Sequence, residues 1–325
     1  MEEFPFFEID TPAAFQEAAL ETFAFQFAHV PLYRTFCEHL GRHPGNVRTL
    51  SDLPFLPISF FKTHTLLAKG NASKLVFQSS GTTGSVRSQH HVADPERYRQ
   101  SFLYAFKRFY GPPSDHSILA LLPSYQQQPG SSLIYMVDAL MQESAHPLGG
   151  YLTGNPEELA ARIIQADREA GRTLLIGVSY ALLDLARSHP MNLRNTTIME
   201  TGGMKGRGRE MVREALHAEL SKGFGQPRIH SEYGMTELLS QAYSSGNGLF
   251  RCPPWMQVRI RDTEDPLSEW PHGRTGGVNV IDLANRYSCA FIATQDLGKT
   301  HTDGTFEILG RFDHSDIRGC NLLML

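Results

Sequence analysis

"VFQSSGTTGSVRSQHH" runs from Val76 to His91. An apolar, strand-like run leads into Ser79, Ser80, Gly81, Thr82, Thr83, Gly84 and Ser85. Such a row buries little apolar surface, and ordering it costs chain entropy. It is either a solvated surface loop or a loop built around a ligand. Glycines allow close backbone approach, successive N–H groups make an anion nest, and hydroxyls add donors. The loop is no Walker A motif, because the lysine of G-x-x-x-x-G-K-[ST] is missing, and it is no G-x-G-x-x-G turn.

Around this loop, strand-like and helix-like stretches alternate. "SILALLP" (117–123), "TLLIGV" (173–178), "NTTIMETGG" (195–203) and "RIHSEYG" (228–234) read as strands. Helical patterns occupy 11–40, 96–109 with Asp94 as cap, 132–142, 156–170, 179–188 and 209–220. "LPFLPISFFKTH" (53–64) is proline-broken and extended. This alternation predicts an α/β fold with mostly parallel, covered sheets. After about residue 245 short alternating runs ("MQVRIRD", "GGVNVID", "CAFIATQD", "GTFEILG") predict a small antiparallel or barrel-like β subdomain.

The chain has 325 residues, 41% hydrophobic and 20% charged, with a net charge of −4. These values fit a globular protein and argue against a general nucleic-acid surface. The N-terminus "MEEFPFFEID" lacks the charge and apolar pattern of a signal peptide, and no apolar run is long enough to span a membrane. Cys37, Cys252, Cys289 and Cys320 have no CxxC spacing, so neither a disulfide framework nor a zinc site is expected. A cytoplasmic location with reduced thiols follows as an expectation.

Two more stretches extend the pattern. "SEYGMTE" (231–237) sets an aromatic, a glycine, a threonine and a carboxylate at a strand end, and "TQDLGKTHTDGTFEILGRFDHSDIRG" runs from Thr294 to Gly319. With "SSGTTGS", and in this order, they resemble the adenylate-forming enzymes: acyl-CoA synthetases, luciferases and peptide-synthetase adenylation domains. "GMTELLSQAY", "LPSYQQQPGSSLIYM" and the terminal "SDIRGCNLLML" resemble more narrowly the acyl-protein synthetases of bacterial bioluminescence.

The resemblance implies a large adenylating domain over 1–310, with 246–310 β-rich, and a hinge-like remnant and tail over 311–325, without the usual swinging C-terminal domain and its lysine. It implies a ligase that uses ATP and Mg²⁺ to turn a fatty or aryl acid into acyl-AMP. Ser79, Ser80, Gly81, Thr82, Thr83 and Gly84 would wrap the phosphates, and Val86-Arg87 replaces the family's usual Pro-Lys, with Arg87 supplying the lysine's charge. Gly202, Gly203 and Met204 would border adenine, with Tyr233 on its face and Gly234 in the same turn. Thr236 would touch the α-phosphate, Glu237 would hold Mg²⁺, and Asp296 and Arg311 would meet the ribose. Cys320 matches the cysteine that accepts the acyl group as a thioester, for delivery to a partner protein such as a reductase or a carrier. Alternatives are delivery of the acyl group to CoA, a carrier protein or an amine, and a binder of nucleotide or acyl-AMP without catalysis.

Taken singly, several of these residues have plainer readings. Tyr233 reads equally as a core aromatic, Glu237 as a helix cap or ion-pair partner, and Cys320 as a small hydrophobe. His90, His91 and His301 read as structural, and Asp303-Gly304 as a hairpin turn. Gly177-Val178-Ser179-Tyr180-Ala181 imitates a nucleophile elbow but ends in alanine; by the resemblance it lines the acyl pocket.

Overall fold

A computed structural model describes residues 6–80, 86–123, 130–202 and 211–311. The chain divides into two compact units. One comprises 1–101, 236–240 and 251–325, and the other 102–235 and 241–250.

The second unit is built on a sheet in the order Gly150–Tyr151, Ser117–Leu121, Thr173–Val178, Thr196–Thr201, His230–Tyr233 and Ala242–Ser244. The first five strands are parallel and the last is antiparallel. Ser117–Leu121 and Thr173–Val178 are buried at every position, as near-continuous apolar runs in a covered parallel sheet should be. The helices Ser132–Ser144, Pro156–Glu169, Ser179–Ser188 and Arg213–Phe224 alternate with these strands in the chain. Asn155 and Glu158 form a reciprocal capping box that starts the second of them. Gly225, at φ +67°, ends the last; a Cβ there would stand 2.8 Å from Asn192 Oδ1. That helix begins four residues later than its sequence pattern predicts, because Val212 is extended at ψ 148°.

In the first unit, Met256–Arg261, Gly276–Asp282, Phe291–Thr300 and Phe306–Arg311 form an antiparallel meander. Leu56–Pro57 pairs in parallel with the third of these strands. The helical stretch predicted over 11–40 is two helices, Pro12–His29 and Pro31–His39. Pro31 has no N–H to donate and its ring crowds the preceding turn, so the first helix stops at Val30. Gln26, 0% exposed, lies within that first helix. Its amide donates to the Asn285 and Arg286 carbonyls at 2.9 and 2.8 Å and accepts from Ala290 N at 3.1 Å, so every polar atom of the side chain is used. Asp94 caps the helix Pro95–Tyr110 through Glu96 N. Asp303-Gly304 does turn the last hairpin, with Gly304 at φ +79°. Among the described residues no helix is long and apolar enough to cross a membrane.

Candidate active site

Two paired strands flank the Gly/Ser/Thr stretch. Leu75–Gln78 and Gln89–Val92 pair antiparallel; beyond them Ser79 N–H donates to the Ser88 carbonyl at 3.1 Å and Ser88 N–H donates to the Ser79 hydroxyl at 2.9 Å. Ser80 is exposed, as is Arg87 on the returning side. Gly81, Thr82, Thr83 and Gly84 lie outside the described residues.

The returning strand carries two contacts that local sequence patterns did not flag. Ser88 and His90 alternate with exposed Gln89, so they share the buried face. The Ser88 hydroxyl hydrogen-bonds the Glu237 carboxylate, and His90 Nδ1 lies 2.8 Å from the Thr236 carbonyl. The base of the loop is thus tied to the two residues expected at the α-phosphate and the metal. Asp282 secures the same segment beyond them: it accepts from Leu239 N at 2.7 Å and the Ser240 hydroxyl at 2.6 Å.

Burial raises the pKa of Glu237, which is 6% exposed; Ser88, and then Arg311 and Lys62, pull it back in part. A buried carboxylate held by one hydroxyl and its own main-chain N–H suits a hard cation, which would restore its charge. No group of three or more His, Cys, Asp or Glu among the described residues could cage a metal. A Mg²⁺ ion here would therefore take most of its ligands from phosphate and water.

The two residues expected at the ribose stand together. Asp296 and Arg311 are cross-strand partners, with Nε to Oδ1 at 3.5 Å. Asp296 is nearly buried, whereas the Arg311 side chain is 73% exposed. A groove of about 430 Å³ in this unit reaches Ala293, Thr294 and Gln295 and is lined by none of the predicted site residues.

In the second unit, the carboxyl ends of the parallel strands are where α/β sheets bind ligands. Gly202 follows Thr201 at φ +68°, a left-handed conformation that suits glycine. Tyr233 ends its strand 9% exposed, with its ring edge-on to Phe250 at 6.0 Å. That packing agrees with the core-aromatic reading as well as with a face for a base. Gly234 directly follows and is half-buried, while Gly203 and Met204 lie outside the described residues. Ser179 is 2% exposed, 2.9 Å from Glu200 Oε2 and 2.5 Å from the Gly202 carbonyl. Among the described residues its hydroxyl is hydrogen-bonded to these two acceptors and to no imidazole, unlike the base-paired serine of a nucleophile elbow.

Two carboxylates on neighbouring strands behave oppositely. Burial pushes Glu200 up, but His217, Arg213 and Ser231 more than offset this, and its pKa lies below the usual value. Burial pushes Glu232 up to about 7; the Thr201 hydroxyl it accepts opposes the rise and the charge of Glu200 adds to it. Cys37, Cys252 and Cys289 each have the thiol pushed up to about 12, chiefly by burial, so none is an activated nucleophile. Cys320 lies outside the described residues.

The long-chain-fatty-acid–luciferin-component ligase of Vibrio harveyi is 26% identical over 316 residues, which is 90% of this chain and 82% of that protein. The chain thus resembles the acyl-protein synthetases of the adenylate-forming superfamily. Solved adenylate-forming ligases share its fold. ATP-bound MatB from Rhodopseudomonas palustris matches with a TM-score of 0.57 and 18% identity over 74% of this chain; the chain spans about half of that protein, 49%. An open conformation of 2-hydroxyisobutyryl-CoA ligase with 2-HIB-AMP and CoA matches with a TM-score of 0.69 and 16% identity over 93% of this chain and 70% of its own. No family model matches. Sequence reading passed over Ser88 and took His90 as structural; each bonds a partner more than a hundred positions away.

Proposed function

We propose that this protein activates a carboxylic acid with ATP and Mg²⁺, forming acyl-AMP, and then takes the acyl group onto Cys320. The observation that carries the reading is the returning strand of the hairpin. Through Ser88 and His90 it ties the base of the Gly/Ser/Thr loop to Glu237 and Thr236. The similarity to the Vibrio harveyi ligase supports a long-chain fatty acid as substrate.

A carboxylic acid is already ionised at neutral pH, so the first step needs no general base. A carboxylate oxygen attacks the α-phosphorus, the new P–O bond forms, and the bond to pyrophosphate breaks. Catalysis is then positioning and neutralisation of charge on the phosphates. Thr236 meets the α-phosphate, and Ser79, Ser80, Gly81, Thr82, Thr83 and Gly84 hold the β- and γ-phosphates, with Arg87 adding charge. Mg²⁺, held by Glu237, supplies further neutralisation when bound. Gly202, Gly203, Met204, Tyr233 and Gly234 receive adenine, and Asp296 with Arg311 receives the ribose. In the second step the Cys320 thiolate attacks the acyl carbon, a thioester forms and AMP leaves. A partner protein then accepts the acyl group.

Two measurements test this. Pyrophosphate exchange into ATP with Mg²⁺ should depend on one class of acid in a panel of fatty and aromatic acids; ATP binding without any such exchange would leave only a nucleotide binder. Cys320→Ser should abolish stable acyl labelling while sparing exchange. Undiminished labelling would move the acceptor elsewhere, and faster turnover of that variant with added CoA, carrier protein or amine would identify an external acceptor.

A further inference from the structure

His90 is 0% exposed, on the face of the strand Gln89–Val92 that also carries Val92 inward. Its Nδ1 lies 2.8 Å from the Thr236 carbonyl and its Nε2 lies 3.1 Å from Asn285 Oδ1. The Asn285 amide nitrogen donates to the Glu237 carbonyl at 2.9 Å. The carbonyls so held belong to the two adjacent residues expected at the α-phosphate and the metal.

The hold is rigid at its far end. Asn285 N donates to the Asp282 carbonyl at 3.0 Å, and the Asn285 carbonyl accepts from Gln26 at 2.9 Å. Phe61 meets the imidazole edge-on at 5.5 Å. Burial keeps the ring neutral, with its pKa pushed down to about 4 against the hydrogen bonds to Thr236 and Asn285. Both partners of the ring are oxygen acceptors, and a neutral imidazole has one N–H, so it donates to one of them; the shorter contact, to the Thr236 carbonyl, takes it. Asn285, oriented by its donation to the Glu237 carbonyl, then sets its Oδ1 3.1 Å from the unprotonated ring nitrogen without a hydrogen bond to it. An apolar residue would fill the same space, but it would leave the Thr236 carbonyl without this donor.

We propose that His90 is a positioning residue for adenylation: its Nδ1–H bond to the Thr236 carbonyl, with Asn285 on the Glu237 carbonyl, sets the main chain that presents the Thr236 hydroxyl and the Glu237 carboxylate to the nucleotide. The inference rests on the adenylation reading above. Asparagine places an amide N–H near the Nδ1 position and glutamine near Nε2, so the two substitutions separate this bond from mere filling of the space.

The experiment compares His90→Asn, His90→Gln and Asn285→Leu in the full chain. It has two readouts: pyrophosphate exchange per folded molecule with the acid panel, and amide deuterium exchange of peptides covering 234–240. His90→Asn should stay within about threefold of the parent rate, since it keeps the donor. His90→Gln and Asn285→Leu should lower kcat about 10- to 100-fold with little change in KM for the acid, as misplacement of positioned groups does. Deuterium uptake over 234–240 should rise in those two variants and not in His90→Asn. Parent-like exchange by folded His90→Gln or Asn285→Leu, or equal losses in His90→Asn and His90→Gln, would overturn the role. A parent protein with no acid-dependent exchange would defeat the adenylation reading instead. Deuterium uptake would then decide the positioning alone, and unchanged protection in His90→Gln and Asn285→Leu would reject it.

Discussion

Glu232 shows how one buried side chain makes stability depend on pH. Its carboxyl rises from an ordinary 4.5 to about 7 in the fold, so the native state holds a proton that the unfolded chain has released. The stability linked to that proton is fully present below pH 4.5 and is lost as pH rises through 7. The difference corresponds to at most roughly 3 kcal/mol. Glu232→Gln keeps an acceptor for the Thr201 hydroxyl and carries no charge at any pH. It should raise the midpoint of urea unfolding at pH 8 and do so far less at pH 5. An equal effect at both would mean that the charge is not the cause. His90 acts in the opposite sense: its pKa falls from 6.5 to about 4, so stability linked to it is lost as pH falls between those values.

At the scale of elements, the first helix is joined to the site by a polar residue at a core position. Gln26 holds the carbonyls of Asn285 and Arg286 and the N–H of Ala290. Gln26→Leu has nearly the same volume but would leave three buried main-chain groups unpartnered. The expected cost is about 3 kcal/mol or more, read as a lower denaturation midpoint at unchanged m-value. Because Asn285 in turn holds the Glu237 carbonyl, the surviving folded fraction should also show slower pyrophosphate exchange. A loss of stability with full exchange per folded molecule would confine the glutamine to the core.

For the whole molecule, ATP should act as a stabilising ligand. A ligand that binds only the folded chain adds about 2.7 kcal/mol at a hundredfold excess over its Kd. Tm should therefore climb with the logarithm of ATP concentration, and an activated acid should raise it further as acyl-AMP accumulates. A Tm indifferent to ATP would contradict nucleotide binding itself. By itself the sequence determined the parallel strands, because apolar runs such as Ser117–Leu121 and Thr173–Val178 can be stable only when buried on both faces. It also determined the order of the motifs, and with it the resemblance to the adenylate-forming enzymes, because loops of such narrow composition are uncommon. Only the tertiary structure decided what holds those motifs in place. Ser88, His90, Asn285 and Gln26 look like ordinary polar residues along the chain. Their hydrogen bonds span 146 residues from His90 to Thr236 and 259 from Gln26 to Asn285, and no local periodicity encodes a partner at that distance.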